Sequence, residues 1–519
     1  MKKVDILIII ACFATTVLAV QPVKKGVQKD NKTVKVDSIA LTIEQAKKGD
    51  AAAQNTLGLW YYTGKDTIKQ DYKKALEWWA RSAKQDNADA IGNMAICYQM
   101  GRGTEKDSTL AVNLYQAAIK KGNKAIIPQH ESIVKNTGSV FSCLLLHDCY
   151  QKGIGVDKDS KKAIYYLEKA AEKGDLDSQY STALYYLNTK QYEKALTWFR
   201  KAAKQGHAGA TYYCGNMLYN GIGVEKNQTD GLKFLKSASN KNFIMADYLL
   251  GRIYYEGDGV VKDAKTAVTY LRKAANKGNE KAKWLLGLCY LNGEGLNKDY
   301  YFATQFLADS YKSHHDQFIE LLKKDNGGLF TQYLLGLKKY YIDKDIESAI
   351  SYFKKVEKGK NIEGTTMLGV CYGYKDYTKR NEKKAVKLFE KASGISAVAN
   401  YYLSSMYETG TGVEKNEEKA LELLKKAAEM GVAYAQCKLG DKYYNGNGIT
   451  KNLTKAALLY LDAEAQGRLT PQSAKNLADC YRQKLNVLPD LADAEKRIKE
   501  LNKMKANDHL ISMLKLLEE

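Results

Sequence analysis

Residues 246–278 read ADYLLGRIYYEGDGVVKDAKTAVTYLRKAANKG, two apolar helical faces on either side of a glycine turn. Ala246, Leu249, Leu250, Ile253 and Tyr254 recur at i, i+3, i+4, i+7 and i+8, which is one face of an amphipathic helix. Gly251, inside that run, leaves room for a neighbouring helix to come close. Gly257-Asp258-Gly259 ends the helix, because glycine takes the positive φ that a left-handed cap requires. After Val260 and Val261, Asp263 stands as N-cap of a second helix, its carboxylate accepting from free first-turn amides at a gain of about 1 kcal/mol. Ala267, Tyr270, Leu271, Ala274 and Ala275 form the second stripe, and Lys277-Gly278 closes the hairpin.

The turn recurs seven times, starting at Gly101, Gly153, Gly221, Gly257, Gly293, Gly410 and Gly446, with spacings of 36 residues from 221 to 293 and from 410 to 446. Each copy carries an Asp or Asn (Asp107, Asp159, Asn227, Asp263, Asp299, Asn416, Asn452) four residues before a small residue. A fixed period of this size marks a solenoid, in which each unit buries its apolar face against its neighbours. A chain of 519 residues therefore need not divide into several separate cores. Four prolines and 40 glycines suit helices separated by glycine turns.

Ala-x-x-Leu-Gly-x-x-Tyr-x-x-Gly-x-Gly-Val-x-Lys-Asp, followed by Ala-x-x-Tyr-x-x-Lys-Ala-Ala-x-x-Gly, resembles the Sel-like repeat, a relative of the tetratricopeptide repeat. The match runs from Ala52 to Gly467. The resemblance implies an all-α, right-handed α/α superhelical solenoid of about eleven to twelve 36-residue helix–turn–helix repeats. It also implies an adaptor for protein–protein interaction rather than a catalyst. Four places depart from the pattern. About 16 extra residues lie around Ile126 to Val140. Tyr186 to Ala195 and Tyr340 to Ala349 need tighter turns, and Tyr372 to Ala385 a longer one.

The expected organisation is a signal peptide over 1–19, a flexible tether over 20–40, the repeat solenoid over 41–467, and a degenerate repeat with capping helices over 468–519. Met1-Lys2-Lys3, the apolar run Ile6 to Val17 and the small residues before Val20 read as an export signal. Export to the periplasm or cell exterior is the preferred reading. Ile9-Ile10-Ala11-Cys12 resembles a lipobox, so a lipoprotein or a retained anchor are the alternatives, and a membrane is a partner only in those cases. The formal charge of +21 comes overwhelmingly from lysines spread through every repeat. That reads as a solvated outer face and points away from nucleic acid, for which arginine is the bidentate reader.

No catalytic or metal constellation is visible, and no cofactor is expected. Gly-x-Gly here follows a helix and lacks the third glycine of a dinucleotide loop. His130, His147, His207, His314, His315 and His509 have no metal-ligand spacing. Ser132-Ile133-Val134-Lys135 has Ser-x-x-Lys spacing without companion motifs. It carries the alternative that the resemblance leaves open, an exported glycan-, peptidoglycan- or β-lactam-interacting protein with hydrolase activity. Cys97, Cys149, Cys289, Cys371 and Cys480 each precede a tyrosine, at a position filled elsewhere by Trp60, Met217, Ile253 and Met406. They therefore read as core fillers.

The tyrosines three residues before the turn glycine, Tyr254 among them, read as core. Two positions vary in chemistry from repeat to repeat, five and two residues before that glycine. As an i, i+3 pair they share a helix face. Asn216 with Tyr219, Arg252 with Tyr255, and Asp441 with Tyr444 are accordingly the candidate lining of a groove for a protein or peptide partner. Partly buried contact between repeats is the competing reading.

Overall fold

The computed structural model describes residues 31–65, 67–373, 379–466, 468–488, 494–501, 509–515 and 517. The proposed signal peptide lies outside them. Among the described residues the regular structure is helical, apart from an isolated antiparallel bridge between Lys65 and Ile68. The chain forms two compact units, one ending at Lys226 and the other beginning at Asn227.

Within the first unit, hairpins pair Ala51–Thr63 with Tyr72–Ala83, Ala88–Met100 with Ser108–Lys120, Val140–Lys152 with Ser160–Glu172, and Leu176–Asn188 with Tyr192–Lys204. The second unit repeats the design. Its hairpins include Ile244–Glu256 with Ala264–Asn276, Glu280–Asn292 with Tyr300–Ser310, and Leu329–Tyr341 with Ile346–Lys358. They continue through Ile362–Gly373 with Glu382–Ala392, Ala397–Thr409 with Glu417–Glu429, and Ala433–Asn445 with Leu453–Ala465.

The hairpin at 244–276 shows why this sequence folds so. Ala246, Leu249, Leu250, Ile253, Ala267, Leu271, Ala274 and Ala275 are all buried. A Cβ on Gly251 would stand 2.7 Å from Leu271 Cδ2, so glycine is what lets the two helices meet there. Gly257 caps the first helix at φ +76°. Asp263 Oδ1 accepts from the amides of Lys265 and Thr266 at 3.1 Å each, and its own amide donates to the Tyr254 carbonyl at 3.0 Å. The same link from N-cap amide to tyrosine carbonyl closes the hairpins at Asp107, Asp159, Asp299, Asn416 and Asn452.

Hairpins join through a buried polar residue seven positions before that tyrosine. Gln54, Gln179 and Gln436 donate there to the carbonyls of Ala46, Ala171 and Ala428, at the end of the preceding helix. Asp247 in the same slot accepts from Ser239 Oγ at 2.6 Å and faces Lys277 at 3.4 Å. A side chain in this slot satisfies a carbonyl or a partner that would otherwise be buried without one.

Several expectations require correction. Residues 31–40, assigned to a tether, belong to the helix Asn31–Lys47, which docks through Ala46 and Ile43 on the first hairpin. The insertion near Ile126 is itself a helix, Ile126–Thr137, held by buried Ile126, Ile127, His130 and Val134. His130 Nδ1 lies 2.9 Å from Ser142 Oγ, and burial brings its pKa down to about 4. A further helix, His315–Asp325, has no counterpart in the repeat pattern and is anchored by Phe318. The tight turns are made by Lys190 and Lys344 at φ 59° and 57°, positions where glycine would have been expected. The turn after Tyr372 includes residues 374–378, outside the described residues. Beyond the repeats lie Pro471–Arg482, Ala494–Leu501 and His509–Lys515. The last of these packs on Tyr300–Ser310 and Leu329–Tyr341 and so does not cap the final repeat.

The eight described cysteines are free and buried. Burial pushes the thiols of Cys97, Cys214, Cys289 and Cys371 up to about 12, and those of Cys143, Cys149 and Cys480 up to about 11. Since thiolate is the reactive form, labelling of the native protein should be slow and should accelerate in denaturant. Cys289→Ala should cost about 1 kcal/mol through a small cavity. Fast stoichiometric labelling of these eight residues without denaturant would contradict the assignment.

Glu363 is an unusual core residue, 2% exposed, with Ser396 Oγ donating to it at 3.1 Å. Burial first, then repulsion from Asp299, holds its carboxyl well above the ordinary range. Burial likewise raises Asp299 to about 6. The folded state thus keeps protons that the unfolded chain releases above about pH 4. Stability contributed here is present in acid and is lost as the pH rises through the folded values. Glu363→Gln should therefore raise the urea midpoint more at pH 8 than at pH 4, by about 1 kcal/mol or more at the higher pH. An equal shift at both pH values would show that Glu363 is ionised in the fold.

Candidate interaction surface

The structure separates the six candidate groove residues. Tyr219 is 1% exposed, a core side chain rather than a groove lining, and that assignment is withdrawn. Its hydroxyl-bearing ring sits where Tyr62, equally buried in its own repeat, also points inward. Asn216 is half-buried and accepts from Asn220 Nδ2 at its carbonyl and side-chain oxygens, at 3.0 and 2.8 Å. Asp441 Oδ1 accepts from Tyr460 at 2.8 Å and Asn476 at 2.9 Å. Tyr444 donates to Asp479 Oδ2 at 2.7 Å. Both residues thus tie the hairpin at 433–465 to the helix Pro471–Arg482.

Tyr254 and Tyr255 are both half-buried. Tyr255 packs against the core of the second unit, with Lys262 Nζ 5.3 Å from its ring and 3.5 Å from Glu294 of the next turn. Burial first, then the Glu294 carboxylate, pushes its hydroxyl up to about 12. Tyr254 is the more peripheral ring. It stacks on Tyr270 at 6.1 Å and 6°, with Lys236 Nζ 5.8 Å above it. A helix turns by about 100° per residue, so neighbouring tyrosines must divide between the two faces.

Arg252 keeps an available head. Its side chain is 39% exposed, and Nε stands 3.8 Å from Glu256. The corresponding Ser405 accepts from Lys438 Nζ at 3.1 Å. Beside it Glu408 binds Lys438 at 2.6 Å and Lys442 at 2.7 Å. Burial pushes the Glu408 carboxyl up, but the two lysines outweigh it and hold the group below its ordinary value. Ser405, Glu408, Lys438 and Lys442 form a polar, half-buried cluster on the first helices of two successive hairpins, Ala397–Thr409 and Ala433–Asn445, while Arg252 lies on a separate hairpin.

A second regularity was missed. Lysines at the third position of the second helix lie over the hairpin tyrosine: Lys162 over Tyr150 at 4.7 Å, Lys384 over Tyr372 at 3.9 Å and Lys419 over Tyr407 at 4.2 Å. Their signal was present as a Lys three residues after the N-caps Asp159, Asn381 and Asn416, a place that Leu110, Asp230, Thr266 and Phe302 hold in other repeats. Such contacts favour the hairpin by about 0.5–1 kcal/mol at exposed sites. Ser132 and Lys135 are both exposed on Ile126–Thr137, with Ser132 Oγ accepting from Asn136 at 3.4 Å. Among the described residues no group of three His, Cys, Asp or Glu could hold a metal ion.

The Sel1 repeat family model matches residues 51–87, 88–123, 143–175, 177–207, 208–243, 244–279, 281–308, 330–355, 362–393, 397–432 and 433–467. Chitin synthase regulatory factor 3 of Schizosaccharomyces pombe is 26% identical over 212 residues, 34% of this chain and 23% of that protein. DAP3-binding cell death enhancer 1 of Rattus norvegicus is 30% identical over 177 residues, 33% of this chain and 32% of that protein. The chain thus spans about a quarter to a third of the length of these curated relatives. Among solved structures, a protective antigen of uropathogenic Escherichia coli displaying an SLR fold is 25% identical. It covers 92% of this chain and 97% of its own, with a TM-score of 0.36.

Proposed function

Since the chain belongs to the Sel1 repeat family, we propose that it is a non-enzymatic scaffold, exported, that binds a protein or peptide along the first helices of its hairpins. The observation that carries this reading is the position five residues before the turn glycine. It holds Asn216, Arg252, Leu288, Ser405 and Asp441 on a frame whose core residues recur from repeat to repeat. Variable chemistry on a constant frame is what a recognition surface needs, and Arg252 offers a partly exposed side chain there, with its Nε buried and unsatisfied.

A photo-crosslinking residue replacing Arg252 should capture a partner in the native envelope, whereas one replacing the exposed Lys426 should not. Arg252→Glu should weaken binding of the captured partner at least tenfold, about 1.4 kcal/mol. Stability should change by no more than about 0.5 kcal/mol, since the pair with Glu256 is exposed. Capture from position 426 alone would move the binding face to the lysine-rich second helices. Export belongs to the same proposal. It is supported by the basic and apolar run before Val20, and N-terminal sequencing should find a mature chain beginning at Val20. A chain beginning at Met1 would overturn it.

A further inference from the structure

In an array of repeats each helix touches its neighbours in sequence. In the second unit His509–Lys515 breaks that rule, packing on Tyr300–Ser310 and Leu329–Tyr341. Met513 and Leu514 are completely buried, within the same apolar cluster as Leu307, Phe330 and Leu334. Leu510 and Leu517, half-buried, pack against that cluster too. Leu510, Met513 and Leu514 stand at i, i+3 and i+4 of this helix, the spacing by which an amphipathic helix enters a groove, and Leu517 follows two residues beyond its end. Lys515, between them in sequence, is exposed.

A helix of seven residues does not persist alone in water, because nucleation costs more than so few hydrogen bonds return. Its helicity therefore depends on the face it occupies. The preceding stretch, residues 502–508, has the sequence NKMKAND, five of whose seven residues are polar or charged. Tyr301, Tyr340 and Tyr341, on the two receiving helices, are half-buried against the same cluster. They present apolar rings with polar tips, a type of side chain enriched at binding hot spots.

We propose that the face formed by Tyr300–Ser310 and Leu329–Tyr341 is a recognition site for a short amphipathic helix with large aliphatic residues at i, i+3 and i+4. The helix His509–Lys515 is its resident, displaceable occupant. The site rests on the scaffold reading above and narrows its partner to a protein carrying such a helix. The resident segment competes with that partner, so the free chain holds the site closed. Apparent affinity is reduced by the fraction of molecules in which it is occupied.

The test uses the full chain and a fluorescein-labelled peptide with the sequence of residues 507–519. A chain carrying Met513→Glu and Leu514→Glu should bind that peptide at least tenfold more tightly than the unmodified chain. A peptide carrying the same two changes should bind neither. In the unmodified chain, amides of residues 510–515 should exchange with deuterium at least a hundredfold faster than those of Leu329–Tyr341, because the helix leaves without unfolding its site. The proposal is overturned if the doubly substituted chain, with helical circular dichroism retained, binds no tighter than the original. It is equally overturned if both sets of amides exchange together, a result that stands even where the substitutions prevent folding. Peptide binding is read on the purified chain, so its failure beside successful crosslinking at position 252 would remove this site and leave the scaffold. Success beside failed crosslinking would remove the first-helix face and leave this site.

Discussion

Gly295→Ala is expected to destabilise the second unit by about 3 kcal/mol or more, while Gly278→Ala costs only about 1 kcal/mol. Both glycines have positive φ, +74° and +85°, so both substitutions carry the strain of a left-handed alanine. Their surroundings differ. A Cβ on Gly278 meets nothing within 4 Å, whereas one on Gly295 would collide with the Ala264 carbonyl and stand 2.8 Å from the Lys265 amide. Those atoms are backbone, in the first turn of the preceding hairpin's second helix, and cannot swing aside. Gly103 and Gly412 meet the backbone of Tyr72 and Glu382 in the same way. At these three turns the second glycine is thus a point where one repeat rests on the backbone of the one before, whereas a Cβ on Gly448 would meet nothing within 4 Å. Urea titration followed by circular dichroism should resolve the two variants, and equal losses would reduce the role of Gly295 to its own φ.

That packing role explains why so much of the fold was legible in the sequence. A glycine turn, an N-cap carboxylate or amide and an alanine stripe each act within one hairpin, and a period repeats the same local problem until its pattern is plain. Helical spacing also fixes which residues share a face with Arg252, though not how deeply each of them is buried. The neighbouring tyrosines could not be read in this way. Tyr254 and Tyr255 lie on opposite borders of the stripe. Both are half-buried, and the neighbours of Tyr255, Lys262 and through it Glu294 of the next turn, are set only by the folded unit. Tyr219 is likewise buried although its register matched that of a surface residue. The docking of Met513 and Leu514 on helices far earlier in the chain has no periodic signature. Nor do the carboxyls of Asp299 and Glu363, which come to repel each other only in the folded unit.

A contact of the same long-range kind should dominate the electrostatics of the second unit. Arg468 donates through both terminal nitrogens to Asp309, at 3.1 and 2.9 Å, across 159 residues of chain. The two side chains are 15% and 4% exposed, and Lys283 Nζ approaches the same carboxylate at 3.6 Å. Arg468→Ala is expected to cost about 3 kcal/mol, because it removes the bidentate partner of a buried carboxylate. Lys426→Ala, which breaks an exposed pair with Glu422, should cost no more than about 0.5 kcal/mol. Salt should separate them as well. The loss at Arg468 should persist at 1 M sodium chloride, where the Debye length is about 3 Å, while any loss at Lys426 should vanish. Replacing both partners, Arg468→Met with Asp309→Leu, should recover much of the stability, since apolar side chains of similar volume leave no charge to desolvate. If the double variant is as unstable as Arg468→Ala, the ion pair is a net source of stability. The chain would then be using one of its few arginines for a bond that hydrophobic packing cannot replace.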